Sequence, residues 1–330
     1  MHPRLFPQRD AAVSEVGLGT WQLGGTEWGE VSDEQALETL RAAAEVGVTF
    51  LDTADIYGMG RSESLIGRFL GERADRDSFF VATKLGRHPQ PGWPENFTRA
   101  TVFKHTEDSL RRLGVEALDL TQTHCVPLDV MRRGEIWEHL RALQKQGKIK
   151  AFGASVESME EALVCLEQEG MASLQIIFNI FRQKPIGVLF PKAKEKRVAV
   201  IVRLPLASGM LSGTLNKESV FAERDHRTFN RDGAAFNVGE TFAGLPFDRG
   251  VDLANAIKAL VPTEATMAQF ALRWCLDFDA VTTVIPGAKR PEHARANAFA
   301  SALPRLAPGI HAQLRQFYDE EVAPHIRGPY

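Results

Sequence analysis

The sequence predicts a single-domain α/β protein, a (β/α)8 barrel spanning residues 1–330. Three observations lead there. About eight short apolar runs rich in Val, Ile, Phe and Thr alternate with amphipathic segments of helical length, the pattern of a parallel sheet covered by helices. The first strand-to-helix turn reads Gly17-Leu-Gly19-Thr20-Trp21-Gln22 and then Gly24-Gly25. Neither window completes the G-x-G-x-x-G fingerprint that an open dinucleotide-binding sheet places at that turn, so closure into a barrel is the better reading. Finally, no composition shift or Pro/Ser-rich linker divides the chain, and barrels of more than about 250 residues are common as single units.

Strands are expected at 16–19, 48–53, 79–84, 118–124, 149–155, 174–179, 198–204 and 281–286. Helices are expected between them at 33–46, 62–70, 100–113, 136–146, 159–168, 186–196 and 267–278. Ser32 and Gln35 have the spacing of a capping box before the first long helix, and Gly47 stops it. Gly114 and Gly147 close two further helices in the same way. The longest irregular stretch, about 208–250, holds the polar run 225–233, and a loop of that length in a compact domain reads as a lid or ligand clamp. Beyond Arg290, C-terminal helices are expected over about 290–325, the last of them, near 309–321, packing outside the barrel.

Composition excludes several function classes. Lys and Arg total 39 against 42 Asp and Glu, a net charge of −3, which offers no electrostatic case for nucleic acid or an anionic membrane. Cys125, Cys165 and Cys275 are widely spaced and form no CxxC pair, which favours a reduced, cytoplasmic setting. The opening residues lack the apolar core of a secretory signal, and no run of about twenty apolar residues follows. A soluble protein acting on small molecules is expected, with a homo-oligomer left open.

In a barrel the chemistry sits where strands end. The second apolar run ends in Asp52-Thr-Ala-Asp-Ile-Tyr57, the third in Thr83-Lys84 and the fourth in Thr123-His124. Three successive strands thus bring a carboxylate, a phenol, an ammonium and an imidazole to one rim. Any one of them alone has a structural explanation; four together are harder to dismiss, because buried charge is costly unless paired. Tyr57 would ordinarily titrate near ~10. An adjacent Lys84 ammonium is expected to lower that by roughly 1–3, with Asp52 holding Lys84 charged and His124 binding a substrate oxygen. Such an assembly protonates an oxygen as negative charge builds on it.

The sequence resembles the aldo-keto reductases over almost its whole length. The likeness rests on Val16-Gly-Leu-Gly-Thr-Trp21, Asp52-Thr-Ala-Asp-Ile-Tyr57-Gly58-x-Gly60-x-Ser62-Glu63, Thr83-Lys84, Ser109-Leu-Arg-Arg-Leu-Gly114, Asp119-Leu-Thr-Gln-Thr-His124, Gly147-Lys148-Ile149, Pro205-Leu-Ala-Ser-Gly209-Met-Leu and Ile285-Pro-Gly-Ala288. The resemblance implies NADP(H) across the rim, carbonyl reduction, and a catalytic tetrad of Asp52, Tyr57, Lys84 and His124.

It also implies cofactor contacts from Gly19, Thr20, Trp21 and Asp52. Ser155 and Gln175 match positions that hold the nicotinamide amide. An Asn often follows that Ser; here Val156 stands there, so one amide contact is lost. Arg203, where many members stack a Tyr on the nicotinamide, leads into Leu204, Pro205, Leu206, Ser208, Gly209 and Leu211, the loop that crosses the pyrophosphate. Gly287, Ala288, Lys289 and Arg290 open a helix, a favourable place for the 2′-phosphate. His293 replaces a usual Arg or Gln, and Asn297 matches an adenine contact. NADP(H) is therefore preferred, with NAD(H) as the alternative.

For the substrate pocket the candidates are Trp28, Trp93 and Phe97, with Cys125 where the family often has Trp after the catalytic His. The expected activity is NADPH-dependent reduction of aldehydes or ketones, Tyr57 donating the proton. The alternatives are an NAD(P)+-dependent sugar or alcohol dehydrogenase of the same family, or a cofactor-binding redox sensor similar to channel-associated subunits. No metal site is expected: the chain has no HExxH, no early His-x-His and no paired Cys/His spacing.

Overall fold

A computed structural model describes residues 1–25 and 27–330. The chain opens with an antiparallel hairpin, β1 (Pro3–Phe6) and β2 (Ala11–Ser14). Eight parallel strands follow: β3 (Leu18–Gly19), β4 (Phe50–Asp52), β5 (Phe80–Leu85), β6 (Leu120–His124), β7 (Phe152–Ser155), β8 (Met171–Ile177), β9 (Ala199–Arg203) and β10 (Val281–Val284). They pair in chain order, and the barrel closes through parallel bridges from Val16 to Val284 and from Gly19 to Gly287. At this seam the Gly17 and Gly19 N–H groups donate to the carbonyls of Val284 and Pro286 at 2.8 and 3.1 Å. A Cβ on Gly19 would lie 2.8 Å from the Ile285 carbonyl oxygen, so the close approach requires glycine.

Side chains alternate along each strand, and this parity sets both the core and the rim. Phe50, Phe80, Ala82, Leu120, Ala151, Ala172, Ala199 and Ile201 form one buried cluster inside the barrel, together with Phe6 and Val13 from the hairpin. Phe6 meets Phe80 at 4.8 Å between ring centroids, so the hairpin plugs the N-terminal mouth. Leu51 and Val81, of opposite parity, join the larger cluster beneath the helices. Continuing the inward parity gives Asp52, Lys84 and Arg203 one step on and His124 and Ser155 two steps on, while the register shift between β7 and β8 brings Gln175 level with Ser155.

Six of the expected helices form close to their expected limits, at Asp33–Glu45, Arg61–Gly71, Arg99–Leu113, Glu135–Lys145, Met159–Leu166 and Met267–Leu276. The segment expected as one helix over 186–196 is instead two, Pro185–Val188 and Phe190–Glu195. Pro191 has no N–H with which to continue the first. The capping box expected at Ser32 is only half present. Ser32 Oγ accepts from the Gln35 N–H at 3.2 Å, but the Gln35 amide reaches across to the Lys289 carbonyl at 2.8 Å. Complete boxes occur at Ser158/Glu161 and Thr266/Gln269. Gly47, Gly114 and Gly147 all have positive φ, as their stop positions require.

The long stretch is not featureless. It holds the short helix His226–Phe229 and the turn Val238–Glu240, and a helix over Phe247–Ala256 begins before its expected end. The C-terminal helices are Pro291–Ala298 and Pro308–Phe317; the second lies outside the barrel, its Leu314 carbonyl accepting from Gln183. No helix of the described residues is long and apolar enough to cross a membrane.

Candidate active site

The four rim residues converge. Lys84 is 1% exposed and Asp52 2%, and Lys84 Nζ lies 2.6 Å from Asp52 Oδ1. The same ammonium donates to the Thr53 carbonyl at 2.8 Å and to Tyr57 Oη at 3.4 Å, so each of its hydrogens has an acceptor. Tyr57 sits on the turn after β4, its ring edge-to-face with His124 at 5.8 Å and parallel to Trp21 at 6.0 Å. His124 Nδ1 is buried without a partner among the described residues.

Burial dominates the electrostatics. It is the largest influence on Lys84 and acts to lower its pKa, but the facing Asp52 carboxylate and Tyr57 oxygen overcome it and hold the ammonium charged above its usual range. His124 is pushed well below its usual value, first by burial and then by the Arg87 and Lys84 charges, and is therefore neutral near pH 7. Tyr57 corrects the expectation of an acidified phenol. Burial raises its pKa above the ordinary value and outweighs the downward pull of Lys84, while Asp52 and Glu240 add to the rise. In this environment the phenol keeps its proton until an acceptor arrives.

Two cavities meet at Tyr57, His124, Trp21 and Glu240. One is a groove along the rim. Gly19, Thr20, Trp21, Asp52, Gln175, Arg203, Leu204, Pro205, Leu206, Ser208, Gly209, Gly287, Lys289 and His293 line it, as the sequence suggested. Other expected cofactor residues lie off it. Ser155 is buried with its hydroxyl 3.6 Å from Cys125 Sγ, Leu211 and Ala288 are core residues, and Asn297 donates to the Gly287 carbonyl. Arg290 pairs with His293 at 3.1 Å. Gln175 lines the groove, yet its amide nitrogen is committed to Asp52 Oδ2 at 2.7 Å, so it positions Asp52.

The groove has the chemistry of a dinucleotide cradle. A Cβ on Gly287 would overlap Gln22, and Ser208 and Gly209 hold positive φ where the chain bends against the opening. Lys289 makes no ion pair among the described residues, and burial, then Arg227, push its pKa down against the pull of the Asp225 carboxylate. The Lys289 ammonium is thus short of an anion. Arg227 was not evident from sequence. It is held bidentately by Asp225 at 2.9 and 2.7 Å and lies 5.0 Å over the Trp28 ring. The polar run 225–233 was its only signal.

The second cavity, about 610 Å³, is of small-molecule size. Trp93 and Cys125 line it as expected. Trp28 does not: it faces the groove, packed at 4.3 Å on His226. Phe97 is a buried anchor against Trp93. Cys125 is raised to about 11, mainly by burial, and is no nucleophile. Sequence reasoning missed Arg87, Glu157 and Glu240 on the wall and Phe229 and Phe236 on the roof.

A barrel whose groove and pocket meet at a buried Asp, Tyr, Lys and His fits an oxidoreductase that works with a nicotinamide cofactor. The chain belongs to the Aldo/keto reductase family, which it matches over residues 15–319. It is 30% identical over 290 residues to Aldo-keto reductase YhdN of Bacillus subtilis (strain 168), covering 84% of this chain and 82% of that one. Among solved structures it is similar to the glycerol dehydrogenase AKR11B4 from Gluconobacter oxydans. The TM-score is 0.76 at 29% identity, covering 99% and 97% of the two chains. It is also similar to an aldo/keto reductase from Klebsiella pneumoniae in complex with NADP and acetate, with TM-score 0.70, 25% identity and 96% of each chain covered.

Proposed function

We propose that this protein reduces aldehydes or ketones to alcohols with NADPH, and that Tyr57 gives its proton to the carbonyl oxygen. The observation that carries this reading is the buried Lys84 ammonium between Asp52 and Tyr57 Oη. NADPH, when bound, supplies the hydride. Lys84 then stabilises the phenolate as the proton leaves Tyr57, and Asp52 with Gln175 keeps Lys84 in place. Neutral His124 orients the substrate oxygen toward the phenol. The groove's Lys289 supports NADPH over NADH, because an additional phosphate supplies an anion for an ammonium that makes no ion pair among the described residues.

Tyr57→Phe keeps the ring packing and removes the proton. The expected result is a fall in turnover of about 10²–10⁴ with NADPH affinity, read by fluorescence, unchanged. Near-normal turnover would refute the assignment of Tyr57. The reverse direction, oxidation of an alcohol or sugar with NADP+, uses the same residues, and rates with each cofactor in each direction show which the protein favours.

A further inference from the structure

We propose that Arg87 and Glu157 are specificity-determining residues that read hydroxyl groups beside the carbonyl, so that polyhydroxylated aldehydes and ketones are preferred over plain or anionic ones. This rests on the reductase reading above and names the substrate class of the same site. Arg87 Nη2 lies 2.8 Å from Glu157 Oε1 and 2.9 Å from Glu240 Oε1, while Glu240 Oε2 faces Arg203 Nη1 at 3.3 Å. Cys125 Sγ and oxygens of both carboxylates lie within 4.8 Å of one another, and Cys125 adjoins His124 in sequence. The wall beside Tyr57 thus sets the Arg87 guanidinium against two carboxylates, and Arg203, on the groove side of Glu240, completes a network of no formal net charge.

That balance selects among ligands. An anion meets Glu157 and Glu240, and a cation meets Arg87. An alkyl chain strips water from these groups and gives back no hydrogen bond, which is the most costly exchange a polar site can make. A hydroxyl both donates and accepts, and so satisfies neighbours of either kind. The state of Glu157 agrees: burial and the adjacent Glu240 raise it to about 7, so it can serve either as donor or as acceptor near neutrality. The hydrogen bonds of Arg87 to Glu157 and Glu240 both run through Nη2, so Nε and Nη1 have no side-chain partner among the described residues. The same cavity is lined by Trp21, Trp93, Phe229 and Phe236, flat faces on which the C–H side of a polyol can lie.

The test compares kcat/KM for glyceraldehyde, propanal and succinic semialdehyde at pH 7 with NADPH. The wild type is expected to favour glyceraldehyde over propanal by about 30-fold or more, and Glu157→Leu and Arg87→Met each to cut that ratio about ten-fold. Glu157→Gln, which still donates and accepts, is expected to keep the ratio within about three-fold. A wild-type ratio near one overturns the proposal, and needs no variant to fold. So does a parallel loss on both substrates in Glu157→Leu. Preference for succinic semialdehyde overturns it too, making Arg87 an anion site while leaving the reductase reading intact. Failure of all three carbonyls, with NADPH bound, would defeat the reductase reading itself.

Discussion

Replacing Lys84 by Met removes the ammonium but keeps most of the stem, leaving the Asp52 carboxylate buried without its counter-charge. Breaking a buried pair from one side costs about 3–5 kcal/mol, because the remaining charge is uncompensated. At about 2.1 cal/mol/K per residue, unfolding 330 residues carries an entropy near 0.7 kcal/mol/K, so the expected fall in Tm is about 4–7 °C. The double variant D52N/K84M removes both charges while an Asn oxygen can still accept from Gln175. It should recover about half of that loss, whereas independent effects would add. The assay is calorimetry of wild type, both single variants and the double, at pH 7. A single-variant Tm within about 1 °C of wild type, or a double variant less stable than either single, would refute the pairing as the source of stability. The sign with pH follows from the raised pKa of Lys84: its contribution is complete below the unfolded value near ~10.4 and is lost as pH climbs through the higher folded value. The gap between wild type and variant is therefore constant at neutral pH and closes only in strong alkali.

Three further outcomes are expected. Lys289→Ala should weaken NADPH by about ten-fold and leave NADH nearly unchanged in a fluorescence titration; equal losses would place the 2′-phosphate elsewhere. His124, depressed by burial, should show no imidazole titration by NMR between pH 6 and 8. Its share of stability is present above about 6.5 and is lost as pH falls toward the folded value, so a His124 titrating near 6.5 would contradict its burial. Phe6→Ala opens the plug of the barrel and should cost about 3–5 kcal/mol, read by urea unfolding; a loss under about 1 kcal/mol would show that the hairpin is dispensable.

The barrel and its rim were legible because both depend on regular alternation. Once the runs ending in Asp52, Lys84 and His124 are strands, their last inward residues must share one end of the barrel. Tyr57 lies past the strand, and its place at the rim follows from the turn that continues directly from Asp52. Burial was not legible: a sequence shows that Lys84 can stand near Tyr57, but not that desolvation of the phenol outweighs its charge. The N-terminal hairpin has strands of only four residues, too short for a period to register. Gly250 interrupts the apolar pattern over Phe247–Ala256, although the helix itself runs unbroken through it. Arg87, Glu157 and Glu240 are single charges in irregular chain, and only the tertiary fold pairs Arg87 with a residue 153 positions away. Trp28 was assigned to the wrong cavity for the same reason, since loop direction has no periodic signature.

Glu240 belongs to the long stretch over the rim, yet its two oxygens grip opposite compartments, one through Arg203 and the other through Arg87. The roof is therefore a shared beam. Any occupant that draws Arg203 aside loosens the carboxylate against which Arg87 is set, and by reciprocity an occupant of the neighbouring chamber tunes the first. The two compartments thus share the Glu240 carboxylate, against which an arginine of each is set.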